Sequence, residues 1–161
     1  MQQQRLSGSR FSKRKDMIAV DELLYNALKA DADIMQAVGG RIVSTCFEVG
    51  PDEDDNTPLP CIIITDDGLQ NTPEDKDYTW ESDEDRVQAS VEVDAESPKA
   101  VKQLMRMCRK AIAKYIRDLD DDDKEVPILE SVQSNGVGWD WIKPCYHSTI
   151  TYNCIIKNEN E

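Results

Sequence analysis

A change of hydrophobic period within residues 86–118 constrains the fold more than any other part of this sequence. In "RVQASVEVDA" (86–95), apolar and polar residues alternate one by one, as in a strand with one buried and one hydrated face. Such a strand is typical of an antiparallel sheet. Ser97 and Pro98 then provide an N-cap and a first helical residue, and apolar residues recur at helical spacing until about Asp118. A long helix is therefore predicted to follow a half-buried strand directly.

The predicted helix has one apolar face and one basic face. Lysines and arginines cover its basic side, among them Lys102, Arg106, Arg109 and Lys110. This face has three interpretations: it is solvated, it docks against the acidic loops of a neighbouring copy, or it contacts phosphate. We predict these four residues as candidates for a subunit or partner interface.

The diglycine Gly39-Gly40 follows a helical pattern and precedes an apolar run. Helical spacing begins after Asp16, which we interpret as an N-cap, and Asp31 or Asp33 is expected to cap a further short turn, "IMQAV". A phosphate-binding loop has the reverse order, because it follows a strand and opens a helix with its N-terminal amides. The diglycine is therefore predicted to be a C-terminal helix cap with glycine in the left-handed conformation.

Four further apolar runs are typical of strands: "RIVSTCF", "PCIIIT", "VPILESV" and "CYHSTITYNCIIK". The order along the chain is then helix, three strands, helix, two strands. This order predicts an α+β fold in which two main helices pack on one face of a mainly antiparallel β-sheet of about four to five strands.

The chain length of 161 residues matches one ordinary domain. Residues 1–15 are basic and polar, and we interpret them as a flexible N-terminal arm. Residues 16–157 are predicted to form a single α+β domain with a long acidic loop at 66–83. Residues 158–161 are predicted to be a short tail.

The net charge of −13 bears on which partners the chain can have. A field of that sign repels nucleic acid and anionic membranes, so general DNA binding is disfavoured. No apolar run is long enough to span a membrane, so no membrane partner is predicted. Five cysteines without a CxxC pair indicate reduced thiols in a cytoplasmic setting.

The sequence shows no pattern typical of catalysis or metal binding. His147 is the only histidine, and no nucleophile motif accompanies it. The acidic runs 52–55 and 120–123 lack the alternation, the central glycine and the closing glutamate of a calcium loop. We predict no enzyme activity, no catalytic residue, no metal and no cofactor.

Acidic and aromatic residues supply the remaining interface candidates. Asp52 and Asp54 lie in an acidic loop that is either solvated or an electrostatic surface for a partner. Tyr78 and Trp80 lie within the polar segment 66–83, and Trp139 and Trp141 alternate, so that they share a side if the chain is extended there. The tryptophans are interpreted either as core edge or as a subunit contact, since aromatic residues are favoured in interface centres.

The order of four segments resembles the tail-completion (tail terminator) proteins of tailed bacteriophages with long tails. The segments are "ELLYNALKADADIMQAVGGRIV", "PLPCIIIT", "DRVQASVEVDAESPKAVKQLMRMCRKAI" and "CYHSTITYNCII". Together they extend roughly from Met17 to Lys157. The helix ending in Gly-Gly-Arg-Ile and the Pro-Leu-Pro before a strand are the most particular elements.

The resemblance implies a non-enzymatic virion protein that forms a hexameric ring. Such a ring caps the finished tail tube and joins it to the head, so the implied partners are further copies of the chain, the tail tube protein and the head-neck connector proteins. The implied location is the tail-neck junction of the virion, after synthesis in the host bacterial cytoplasm. Genomic DNA would pass through the ring lumen without specific binding, because acidic loops repel phosphate.

Two alternatives to a tail terminator stay open at this point. One is another neck protein, a head-closure or adaptor protein. The other is a small nucleic-acid-binding accessory protein that uses the basic arm and the basic face of the helix.

Overall fold

The computed structural model describes residues 16–44, 58–70, 84–119 and 124–157. These residues form an α+β fold of three helices and a mixed six-stranded sheet. The helices are α1 (Val20–Lys29), α2 (Ala32–Val38) and α3 (Pro98–Asp118). The strands are β1 (Asp16–Met17), β2 (Ile42–Ser44), β3 (Cys61–Gln70), β4 (Glu84–Ala95), β5 (Lys124–Glu125), β6 (Ile128–Ser134), β7 (Gly138–Asp140) and β8 (Cys145–Lys157).

The main sheet has the strand order β2-β3-β4-β8-β6, and β7 pairs with the beginning of β8 beside β6. The first pair, β2 with β3, is parallel, and all other pairs of this sheet are antiparallel. The predicted fold class is confirmed. The sheet has one strand more than predicted, because β7 is only three residues long and shows no period in the sequence.

The core lies between one face of the sheet and the helices. Apolar and polar residues alternate along 87–93 of β4 as predicted, and Val91 and Val93 pair with the buried Ile64 and Ile62 of β3. Helices α1 and α3 pack against this face and against each other, and a fully buried aliphatic side chain contributes about 1.5–3 kcal/mol. The fully buried members include Leu24, Leu28, Ile62, Ile64, Val91, Val93, Val101, Ile112 and Ile150.

Helix ends follow local chemistry in two of the three helices. The Asp31 carboxylate accepts a hydrogen bond from the Ile34 amide at 3.0 Å, and the Ser97 hydroxyl accepts one from the Ala100 amide at 3.1 Å. Gly39 ends α2 with φ of 58°, in the left-handed region. The interpretation of the diglycine as a helix cap is therefore confirmed.

Helix α1 begins differently from the prediction. Its N-cap is Ala19, which makes no side-chain capping bond, and Asp16 lies instead in β1, paired with Lys124 of β5. The predicted N-cap at Asp16 is wrong. The pairing joins residues more than one hundred positions apart, so no local pattern could indicate it.

Strand β3 extends further than the sequence pattern predicts. It runs to Gln70, five residues into the segment interpreted as an acidic loop at 66–83. The register shifts between Asp66 and Gly68, where the Gly68 amide donates to the Asp66 carboxylate at 2.9 Å and Gly68 has φ of 95°. Turn-forming residues here make a β-bulge within a strand rather than a loop. Residues 71–83 lie outside the described residues.

We expect the substitution Gly40→Ala to lower the free energy of unfolding by about 1–2 kcal/mol, because a Cβ is disfavoured in left-handed backbone. Gly40 has φ of 75°, and the nearest atom to an added Cβ is the Met35 Cε at 3.9 Å, so the loss would come from backbone strain. Urea denaturation measures the change.

The matched control is Gly136→Ala. An added Cβ there meets no atom within 4 Å, and the backbone has no positive φ. We expect this variant to be unchanged or more stable by up to about 1 kcal/mol. Equal losses in both variants would contradict the assignment of a left-handed cap.

Candidate interaction surfaces

The basic side of α3 is fully exposed in the described structure. Lys102, Arg106, Arg109 and Lys110 all point to solvent, since the apolar side of the helix is buried against the sheet. Within the described part of the chain, no salt bridge reaches any of the four. The predicted basic face is thus a surface whose positive charge no described acidic side chain pairs with, on an acidic protein.

Three of these cations line a groove of about 240 Å³ between α3 and the link from β6 to β7. They are Lys102, Arg106 and Arg109, while Lys110 lies outside the lining. The opposite wall consists of residues 134–137, and Ser148 also contributes. The lining contains no acidic residue, so the groove is suited to an anionic group. We call this surface the basic groove.

The wall opposite the cations is held rigidly. Ser148 Oγ lies 2.9 Å from the Asn135 carbonyl oxygen and 3.0 Å from Asn135 Oδ1. The Thr149 amide donates to the same Oδ1 at 2.8 Å. This part of the groove could not be predicted, because "QSNGVG" shows only that a turn is present.

A second surface is the aromatic hairpin formed by β7, β8 and the turn between them. Trp139 contacts the Tyr146 ring edge-on at 4.8 Å between centroids and the Trp141 ring at 6.1 Å. Trp141 and the adjacent Ile142 are 86% and 93% exposed. The two tryptophans lie together, although Trp141 is in the turn after β7 and not in an extended chain as the alternation assumed, and Trp141 is not part of the core.

Hydrogen bonds and a buried ion pair hold the turn that carries Trp141 and Ile142. Asp140 Oδ1 accepts hydrogen bonds from the amides of Ile142 at 2.9 Å and Lys143 at 3.4 Å, as in an Asx turn. The Lys143 ammonium reaches under the hairpin to the Asp94 carboxylate at 3.5 Å and to the Cys61 sulfur at 3.5 Å. A rigid apolar tip loses little conformational entropy when it binds a partner.

The pair of Lys143 and Asp94 was not predicted from the sequence. Asp94 belongs to the polar side of β4, which the alternation predicts to be hydrated, yet it is only 3% exposed. The cause is the hairpin, which covers this end of the sheet and places Cys61, Asp94 and His147 side by side on adjacent strands. The only sign of this buried pair in the sequence is a lysine between an apolar run and a proline in "WIKPC".

Glu92 lies beside this buried pair on the same face of β4. The pKa of Glu92 is raised from its ordinary value of 4.5 to about 7. Burial is the largest cause, and the negative charge of Asp94 and a hydrogen bond with Asp94 follow. His147 Nδ1 lies 3.9 Å from Glu92 Oε1, which is too long for a hydrogen bond. Among the described residues, no three His, Cys, Asp or Glu side chains converge in a way that could hold a metal ion.

The described cysteines are buried and unreactive. Burial raises the pKa of Cys108 to about 12 and those of Cys145 and Cys154 to about 11, and it also raises the pKa of Cys61. A thiol acts as a nucleophile only as a thiolate, so these four remain protonated at neutral pH. Cys108 and Cys154 belong to the hydrophobic core, whereas Cys61 lies in the polar cluster with Lys143 and Asp94.

Four interface candidates from the sequence cannot be placed. Asp52, Asp54, Tyr78 and Trp80 lie outside the described residues. The structure brings Lys102, Arg106 and Arg109 together in the basic groove, and it brings Trp139 and Trp141 together in the hairpin. In the described part of the chain, no helix is long and apolar enough to cross a membrane.

The fold has a counterpart among solved structures. It is similar to the gp17 protein of bacteriophage SPP1, with a TM-score of 0.52 over 86% of this chain and 88% of that chain, at 16% sequence identity. No protein-family model and no curated protein matches the sequence. At this identity the similarity establishes a shared fold.

The raised pKa of Glu92 predicts a pH-dependent stability. Between pH 4.5 and about 7 the folded state binds more protons at Glu92 than the unfolded state does, so this residue makes stability fall as pH rises. We expect Glu92→Gln to be more stable than the parent at pH 8 by roughly 1 kcal/mol, a value reduced for the partial exposure of the side chain. Near pH 4 this advantage should disappear.

The measurement is urea denaturation of both proteins across this pH range. Glu96→Gln is the control, because Glu96 is exposed on the link between β4 and α3 and the substitution changes the net charge equally. If both substitutions shift the pH profile alike, total charge rather than the environment of Glu92 causes the effect.

Proposed function

We propose that this chain is a structural virion protein of a tailed bacteriophage, a tail terminator that forms a ring. In this proposal the ring caps the tail tube and joins it to the head-neck connector, at the tail-neck junction. Its partners are further copies of the chain, the tail tube protein and the connector proteins. The protein has no catalytic role.

The observation that carries the proposal is the fold. Over 86% of its length the chain shares its fold with a bacteriophage protein. The segments that resemble tail-completion proteins are the ones that build this architecture: "AVGGRIV" ends α2 and starts β2, and "DRVQASVEVDAESP" forms β4 and the start of α3. The sequence resemblance therefore rests on elements that build this fold.

The exposed surfaces support assembly into a ring. The basic groove and the aromatic tip at Trp141 and Ile142 differ in chemistry, and neither is self-complementary. Surfaces of this kind favour head-to-tail contacts, which close into rings when the rotation between copies permits. Large exposed apolar side chains on a rigid turn are also typical of contacts between proteins.

The charge supports passage of DNA rather than its capture. A net charge of −13 on each copy gives a ring a strongly negative field, which repels phosphate from the lumen. DNA would cross such a ring without specific binding.

A second candidate function is nucleic-acid binding through the basic groove. The observation in its favour is that Lys102, Arg106 and Arg109 converge on one groove without an acidic neighbour in its lining. A phosphate backbone is one anion that could occupy it.

Solution mass and negative-stain images of the full chain separate the two functions. A tail terminator is expected to give rings with about six times the mass of 18.3 kDa. A nucleic-acid-binding accessory protein is expected to remain small and to be retained on immobilised DNA in a salt-dependent manner. A monomer that DNA does not retain would contradict both.

The basic groove predicts a charge-reversal phenotype. We expect the triple substitution Lys102→Glu, Arg106→Glu and Arg109→Glu to weaken assembly by at least about 100-fold, because like charges in an interface cost several kcal/mol. Sedimentation equilibrium measures the association constant, and circular dichroism checks that the helix is retained.

The matched control reverses Lys29, Lys99 and Arg117 instead. These cations are also exposed and change the net charge by the same amount, but they lie outside the groove. Assembly that survives the groove substitutions would mean that the basic face is only solvated.

A further inference from the structure

The outer edge of β6 has no partner strand within the described residues. β6 is seven residues long and ends the strand order of the main sheet, so its outward N–H and C=O groups face away from β8. Strand edges of this kind are templates for pairing with another chain, and proteins usually protect them with lysine, proline or a cover. The sequence of β6, "ILESVQS", contains neither lysine nor proline. Its register shifts between Leu129 and Ser131, and its one charged residue, Glu130, is ion-paired with Arg86 of β4.

The edge also exposes apolar side chains on the helix-covered face of the sheet. Leu129 is paired with Cys154, and Val132 is paired with Tyr152. Cys154 and Tyr152 are buried under α3, but Leu129 and Val132 are 36% and 41% exposed. The core face therefore continues beyond the helices onto a strip that nothing in the described structure covers.

Positive charge borders this strip on the side of α3. Arg106 and Arg109 line the basic groove together with Ser134, the last residue of β6. Arg109 is also close enough to Tyr152, the neighbour of Val132, for its charge to act on the phenol. One continuous surface thus combines an open strand edge, two apolar side chains and a row of cations.

We propose that this surface accepts an extended acidic segment of a second copy of the chain as an added strand beside β6. Main-chain hydrogen bonds to the open edge would provide the contact, as in other cases of strand addition. Alternate side chains of the added strand point to the helix-covered face of the sheet. On that face its apolar residues would lie beside Leu129 and Val132, and its carboxylates would reach Arg106 and Arg109.

Charge selects a second copy as the occupant. The chain carries 32 acidic residues against 19 basic ones, with acidic runs at 52–55 and 120–123, so a second copy offers carboxylates that match the cations. A nucleic acid matches the cations, but it cannot pair with a strand edge or cover the apolar strip. This inference rests on the proposed ring, which brings the second copy to this edge.

The first test is the substitution Val132→Lys in the full chain. A lysine removes the apolar contact and places a charged side chain on the strand edge, which is how natural sheets block pairing with another chain, so we expect the association constant to fall at least tenfold. Val132 is partly exposed, and thermal unfolding is expected to be unchanged. The control is Leu69→Lys, an equal change at an exposed residue of β3, three strands away in the sheet order.

The second test identifies the occupant without perturbing the edge charge. A photo-crosslinking amino acid replaces Val132 in a mixture of ¹⁵N-labelled and unlabelled protein, and mass spectrometry identifies the joined peptides. The proposal expects crosslinks between labelled and unlabelled copies, to a peptide rich in Asp and Glu. Crosslinks only within one copy would mean that the chain covers its own edge, which would overturn the proposal.

The outcomes also separate this inference from the proposed function. Rings that persist in Val132→Lys, with no crosslink between copies, would overturn the strand addition and leave the tail terminator standing. A parent protein that stays monomeric and gives no crosslink between copies would overturn both. Rings lost in Val132→Lys but kept in Leu69→Lys would support both.

Discussion

The width of two packed helices sets what this fold can bury. The apolar stripes of α1 and α3 lie over β3, β4 and β8, where the core is complete, and β6 is left beyond their reach. The exposed strip of Leu129 and Val132 is the part of the apolar sheet face that the two helices do not cover.

The elements that follow from local chemistry are those that the sequence predicts well. Strand β4 and helix α3 meet at Ser97 and Pro98, where a cap and a fixed φ angle act within one turn. Gly39 ends α2 for an equally local reason, since only glycine enters left-handed backbone at low cost. What fails is non-local: β1 needs β5, β7 needs β8, and the Asp66-to-Gly68 bulge is set by pairing with β4.

The candidate surfaces likewise contain residues that a local pattern places and residues that only tertiary contacts place. Helical period alone places Lys102, Arg106 and Arg109 on one face, but the groove also needs the wall at 134–137, which only tertiary pairing supplies. Alternation likewise places Asp94 on the hydrated side of β4. The burial of Asp94 depends on the hairpin and on Lys143, which lies 49 residues further along the chain. A buried charge without such a partner would be strongly destabilising.

The acidic charge of the chain and its exposed contact surfaces are connected. Copies with a net charge of −13 repel one another at long range, although at physiological salt the repulsion decays over about 8 Å. In the proposed ring, association would therefore depend on short-range contacts that offset this repulsion. The basic groove would offset it by opposite charge, while the β6 strip and the Trp141–Ile142 tip would act through apolar burial that salt does not screen. A surface that combines both kinds of contact selects its partner by charge and retains it by burial.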